Sequence, residues 1–433
     1  MNFISIPNPN PLSNFNSIPE KVTDNSLPWS NLKLINSPTE ELTPVLIVPG
    51  LGGSRIYDTP KSDLVWVRLL HADTRFRQVV LGKMNKETQW YEPFDPNVKV
   101  STDLGDETSW SGLNAISKLN PYVYTRYGPF EDIFYFYDMI NSLISRGYEP
   151  GKNLFGAPYL FFQSNDHPRI QQQLSMQIDS IHVLCGKKLM IVSHSMGGLV
   201  TKLAWARDPK WFESRVDTWI TMGTPFQGAM GTVTSAMLQG YYFGPVYPDT
   251  CQVFSLTSPA IHQLMGDFQF NWEPVPYVQW IDSKTGETRK VNYIDFPDLI
   301  TKVTKNVKIE IDSVSHATPF DKNAFELALQ VRQKLNDFKP SADTLVKFYS
   351  IYSQGEDTPY SVVYDDPIDE SDLASPHKFH TTYISGDSTV PLQSAQADNL
   401  PAVERWVFTD VRHANIQKQK WSINKVLELL GTF

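Results

Sequence analysis

Four apolar residues, Val45-Leu46-Ile47-Val48, run without a polar interruption into the turn Pro49-Gly50-Leu51-Gly52-Gly53-Ser54. A strand with no polar face predicts a sheet buried on both sides, and hence an α/β architecture. A second run, Leu189 to Val192, meets the small-residue turn Ser193-His194-Ser195-Met196-Gly197-Gly198, and helix-compatible residues follow from Leu199 to Ala206. Val216 to Met222 predicts a third strand, stopped by Gly223-Thr224-Pro225-Phe226-Gln227-Gly228.

Between the first two runs the period is helical twice. Ile133, Phe136, Tyr137, Ile140, Leu143 and Ile144 share one face over 131–146, opened by Glu131 and Asp132 and stopped by Gly147. Ile170, Leu174, Ile178 and Ile181 form another face, after a short strand and turn at Leu154 to Tyr159. Strands alternating with helices from 131 to 222 predict right-handed βαβ units and a parallel sheet. The same logic returns at Val346 to Ile351, Thr381 to Ile384 and Trp406 to Phe408. A last helix carries Ile423, Val426, Leu427 and Leu430 on one face.

Two stretches lose the period. Residues 57–128 hold an apolar knot, Val65-Trp66-Val67 with Leu69 and Leu70, in mixed surroundings. Residues 230–340 are rich in Tyr, Phe and Pro, and only Ala324 to Leu335 reads as a clear helix. Both are expected to be insertions, a lid and a cap, in one domain spanning 41–433. Residues 1–40, rich in Asn, Ser and Pro, are expected to be a flexible leader.

At 433 residues, 41% hydrophobic and 20% charged, the composition is that of a globular chain. A net charge of −9 argues against nucleic acid as a partner. Two cysteines, Cys185 and Cys251, make no disulfide framework, and neither has a second Cys or a His at zinc-finger spacing, so no metal or cofactor is expected. The first thirty residues have no basic start and no continuous apolar run, unlike a secretory signal. No run approaches the ~18 apolar residues that a spanning helix needs. The expectation is a cytoplasmic protein, with peripheral contact to internal membranes.

The turn at Ser195 changes the picture from architecture to chemistry. Ser193, Ser195 and Gly197 follow the nucleophile-elbow spacing, with Ser in place of the first Gly. Such a turn lifts a hydroxyl to a helix N-terminus, where backbone N–H groups favour a developing negative charge. A serine needs a base to take its proton and an acid to orient that base. In the α/β-hydrolase order, Ser then acid then His, Asp387 fits the acid: it follows a strand in S-G-D-S-T-V-P, where Gly386 allows a sharp turn. Asp365, Asp366, Asp398 and Asp410 compete, but none follows a strand through a Gly turn. His413 fits the base, on a loop before the last helix. His377 and His380 precede the acid, His194 is expected to point away from its neighbour, and the other histidines read as surface or packing residues. An oxyanion hole needs two backbone donors. Met196, just after the serine, would supply one, and Leu51 in the P-G-L-G-G-S loop the other. That loop alone would read as an ordinary tight turn, and its meaning comes from the elbow downstream.

At these residues the sequence resembles the lecithin:cholesterol acyltransferase family, which includes lysosomal phospholipase A and plant intracellular acyltransferase-like phospholipases. The resembling segments are V-L-I-V-P-G-L-G-G-S, L-V-W-V-R-L, G-K-N-L-F-G-A-P-Y, I-V-S-H-S-M-G-G-L-V, G-T-P-F-Q-G-A and G-D-S-T-V-P-L-Q-S-A. The resemblance implies an α/β-hydrolase fold with cap and lid insertions, a mostly parallel sheet flanked by helices. It also implies cleavage of a fatty acyl ester of a glycerophospholipid through an acyl-serine. Ser195, Asp387 and His413 carry over as the triad and Leu51 and Met196 as oxyanion donors. Trp66 falls in the family's lipid-contact region, although a Trp packed under the insertion would look the same. The family's G-D-G-T-V reads G-D-S-T-V here, with Ser388 in the small position, and the cysteine pair that staples the lid of secreted members is missing.

Three functions follow as alternatives. The leading one is a phospholipase A. The second is an O-acyltransferase that delivers the acyl chain to a sterol or another lipid alcohol. The third, from another class, is a catalytically inactive lipid-binding module; a peptidase suits the aromatic-rich insertions poorly.

Overall fold

Val45–Val48 (β1), Leu154–Gly156 (β2), Leu189–His194 (β3), Val216–Met222 (β4), Lys347–Gln354 (β5) and Ala402–Thr409 (β6) make a six-stranded sheet in the order β6-β5-β4-β3-β1-β2. All five pairings are parallel. β1, β2 and β3 are buried along their whole length, β1 and the run Leu189 to Val192 being apolar throughout. These positions come from a computed structural model that describes residues 42–102, 111–124, 126 and 128–432; the leader expected at 1–40 lies outside the described residues. The arrangement is an α/β-hydrolase fold. The elbow helix Met196–Arg207 is buried on nearly every side. The helix Pro168–Cys185 begins with Pro at its first position and ends at Gly186 in the left-handed region, and it buries Ile170, Leu174, Ile178 and Ile181. Among the described residues no helix is long and apolar enough to cross a membrane.

The structure departs from the sequence pattern in three places. The helix expected over 131–146 runs only over Tyr137–Ser145, preceded by a 3₁₀ segment at Gly128–Ile133. Between them the backbone pairs with 116–119 instead of with itself: Leu119 N donates to Ile133 O (2.8 Å) and Phe136 N to Ile116 O (3.3 Å). The apolar period survives because Ile133, Phe136, Ile140 and Leu143 still face the core, while Ile144 at the helix end is exposed. The stretch 230–340 holds more helix than expected, with Met230–Gln239, Pro248–Thr257 and Phe296–Val303 besides Lys322–Asp337. Met230–Gln239 is buried on almost all sides, so it shows no polar face for the period to reveal. The strand that precedes Asp387 spans Phe379–Gly386 and lies outside the main sheet. It is the edge of a separate four-stranded sheet, antiparallel to Glu356–Tyr364.

A buried polar chain lies under the elbow. Trp219 in β4 donates its indole N–H to Ser193 Oγ (3.0 Å), which lies 2.9 Å from Thr201 Oγ1, and Thr201 in turn donates to Gly197 O (2.9 Å). Because Thr201 spends its proton on the carbonyl, Ser193 donates to Thr201 while accepting from Trp219, and every group is satisfied. The Ser that departs from the usual Gly is thus a connected core residue. Ser193→Gly makes the motif more regular but strands the Trp219 N–H and the Thr201 acceptor. It is expected to lower unfolding stability by about 1–3 kcal/mol in urea titrations, and an unchanged midpoint would contradict this role.

Candidate active site

Ser195 follows β3 directly and starts the elbow helix with φ 56° and ψ −131°. Its N–H donates to Met222 O (2.8 Å) and its carbonyl accepts from Gly198 N (3.0 Å). The P-G-L-G-G loop after β1 presses on this turn from above. A Cβ on Gly50 would lie 2.6 Å from Ser195 Cβ, and one on Gly197 would lie 2.4 Å from Pro49 O. Glycine is needed at both positions for room rather than for its torsion angles. The serine itself is 8% exposed.

Two further segments reach this hydroxyl from distant parts of the chain. His413 follows β6 and places Nε2 2.8 Å from Ser195 Oγ and Nδ1 2.7 Å from Asp387 Oδ2. Asp387 is buried, and its other oxygen accepts from Val390 N (2.7 Å) and Thr389 N (3.1 Å). The backbones are joined as well, His413 N donating to Asp387 O (2.7 Å). A carboxylate only accepts, so Nδ1 carries the imidazole proton and Nε2 is left to accept from the serine. Ser388, the residue in place of the family's Gly, takes φ 75° and donates its N–H to Thr358 Oγ1 (3.0 Å). Of the competing carboxylates, Asp398 is held by both arms of Arg405 and Asp365 pairs with His380 at the surface.

Met196 is the first residue of the elbow helix, where the N–H has no intrahelical acceptor. In the loop opposite, Gly50 N donates to Tyr135 Oη (3.0 Å) and Gly53 N to Gly50 O (3.0 Å). Neither the Leu51 nor the Met196 amide donates to an acceptor among the described residues. Trp66 lies behind the same loop. It is 5% exposed, donates its indole N–H to Gly52 O (2.6 Å) and stacks on Phe243 with centroids 4.8 Å apart. It therefore braces the loop from inside, and the exposed apolar side chains lie further along, at Leu70 and Tyr242.

His194, as expected, points away from Ser195, but it is not idle. It touches the ring of His413, with centroids 4.9 Å apart, and its Nε2 lies 3.0 Å from the His413 carbonyl. Its Nδ1 lies 2.5 Å from the Tyr135 hydroxyl. Burial and the neighbouring His413 hold His194 well below the usual histidine range. Sequence reasoning missed Tyr135. The only available signal was the run of four aromatics Phe134-Tyr135-Phe136-Tyr137, too many for one helical face.

The profile of the family described as lecithin:cholesterol acyltransferase matches residues 67–426. Lecithin-cholesterol acyltransferase-like 4 of Arabidopsis thaliana is 32% identical over 394 residues, 84% of this chain and 71% of that one. Phospholipase A(1) LCAT3 of the same plant is 32% identical over 383 residues, 83% of this chain and 84% of that one. Among solved structures, a chain of the Tle4–Tli4 complex superposes with a TM-score of 0.56 over 90% of this chain and 98% of that one, at 13% identity, a likeness of fold. The chain belongs to the lecithin:cholesterol acyltransferase family.

Proposed function

We propose that the protein is a phospholipase A that works through an acyl-serine on Ser195. The observation that carries this reading is the unbroken hydrogen-bond chain from Ser195 through His413 to Asp387, set beside two backbone amides that no described residue uses. The phospholipase name of a relative that matches most of this chain supports the substrate class.

In the first half-reaction Ser195 Oγ attacks the acyl carbonyl carbon while His413 Nε2 takes its proton. Asp387 stays ionised and stabilises the imidazolium. Leu51 and Met196 N–H groups face the oxygen that becomes negative, and one such donor is typically worth about 10²–10³ in rate. Collapse expels the lysophospholipid oxygen, which takes the proton from His413, and the acyl group stays on Ser195. Water then gives its proton to His413 and attacks the ester, releasing fatty acid and restoring the serine. A lipid hydroxyl attacking in place of water gives the second reading, an O-acyltransferase, which the family name supports.

We assign 41–433 to one hydrolase domain, with 57–128 as the lipid-contact region and 230–340 as the cap. Leu70 and Tyr242 are 76% and 69% exposed and lie near in sequence to Trp66 and Phe243, which stack on each other beside the loop. Such side chains suit shallow insertion into a lipid surface. Trp66 acts on lipid only through the loop it supports. Two free cysteines fit the cytoplasm as the compartment.

Ser195→Ala is expected to lower fatty-acid release from phosphatidylcholine vesicles by about six orders of magnitude. Release at the wild-type rate would sink the mechanism. Mass spectrometry of the products with and without an added long-chain alcohol separates the two readings, acyl ester appearing only if a lipid hydroxyl competes with water. For the lipid edge, Leu70→Asp with Tyr242→Asp is expected to slow vesicle hydrolysis about tenfold while leaving a soluble p-nitrophenyl ester unaffected. Equal losses on both substrates would remove the surface role.

A further inference from the structure

Gly50, Tyr135, His194 and His413 are joined by one line of hydrogen bonds in which each group has a single workable role. The His413 carbonyl can only accept, so His194 Nε2 (3.0 Å) carries the proton. Nδ1 of His194 is then an acceptor, and the Tyr135 hydroxyl (2.5 Å) must donate to it. That leaves the Tyr135 oxygen to accept from Gly50 N (3.0 Å). Tyr135 and His194 are both buried. Burial raises the Tyr135 hydroxyl above the usual tyrosine range and lowers His194, so neither ionises at ordinary pH. The line runs from the loop that carries one oxyanion donor to the backbone of the base, passing behind the serine.

The approach of Tyr135 is also built into the fold. The helix starts late because the backbone at 133–136 pairs with 116–119, which turns Tyr135 inward. Gly53 leaves the ring room, since a Cβ there would lie 2.6 Å from Tyr135 Cε1. Gly50 donates its amide to Tyr135, while the next amide, of Leu51, donates to none of the described residues.

We propose that Tyr135 is a positioning residue for acyl transfer, acting with His194 to hold the oxyanion loop and His413 in one fixed frame. It rests on the acyl-serine reading. Tyr135 touches no reacting atom; its hydroxyl sets the direction of the loop and so the aim of the Leu51 N–H. A loop free to tilt would still admit an ester but would meet the tetrahedral oxygen badly, a loss confined to the transition state.

The test is Tyr135→Phe in the full chain, assayed on p-nitrophenyl butyrate and against a trifluoromethyl ketone, which forms an oxyanion on the serine. The expected result is a kcat about 10- to 100-fold lower, a KM within about twofold of wild type, and a ketone inhibition constant raised by the same factor as kcat falls. His194→Phe keeps a ring against His413 but removes both the donor for the His413 carbonyl and the acceptor for Tyr135, and it stands in if Tyr135→Phe folds poorly. The double variant is expected to lose no more than the worse single one, because both cut the same line. A folded Tyr135→Phe protein with wild-type kcat and ketone affinity, a loss seen only in melting temperature, or additive losses in the double variant would each overturn the proposal. If instead wild-type protein neither labels with a fluorophosphonate nor turns over ester, the acyl-serine reading itself fails.

Discussion

At φ 56° and ψ −131°, Ser195 occupies a backbone region that residues with side chains reach at a cost of about 1–3 kcal/mol. The surrounding structure supplies what keeps it there. β3 is gripped on both sides by parallel neighbours, so the chain leaves the sheet in a fixed direction. The Ser195 amide is tied to β4 through Met222, and the Ser193–Thr201 pair, closed by Trp219, pins the strand to the first turns of the helix. With those ties in place the serine cannot relax, and its hydroxyl stays at the top of the sheet.

The partners reach that point by unlike routes. His413 arrives from an edge strand of the same sheet, whereas Asp387 arrives from the edge strand of a second, mixed sheet. What makes them one unit is main chain: the His413 amide bonds the Asp387 carbonyl, and the His413 carbonyl accepts from His194. The base is thus held by its N–H, its carbonyl and both ring nitrogens, and little orientation is left to chance.

Much of this was legible from residues alone, for physical reasons. Val45–Val48 was readable because a strand buried on both faces is apolar throughout. Ser195, Asp387 and His413 could be named because chain order and flanking turns restrict where each can fall, and the structure sets them within hydrogen-bond reach of one another. Asp387 was rightly placed after a strand, but nothing in Thr381 to Ile384 tells which sheet that strand joins, since sheet membership is decided by distant partners. The inward turn of Tyr135 was hidden for the same reason. Apolar period reports which way a side chain faces, not whether its backbone is helical or paired with another segment.

The second sheet has a consequence beyond its part in carrying the acid. Glu356 bridges to Asp387 and Gly386 to Pro391, so the two ends of the segment between Glu356 and Gly386 meet at a clasp beside the acid. The entropy of closing such a loop grows only slowly with its length. Thr358, Tyr360, Val362 and Tyr364 are buried, however, so the segment is packed along its length as well as tied at its ends. The carboxylate thus rides on a hairpin anchored twice, and a change of length near Thr358, whose hydroxyl accepts from Ser388 N, reaches the acid's turn directly.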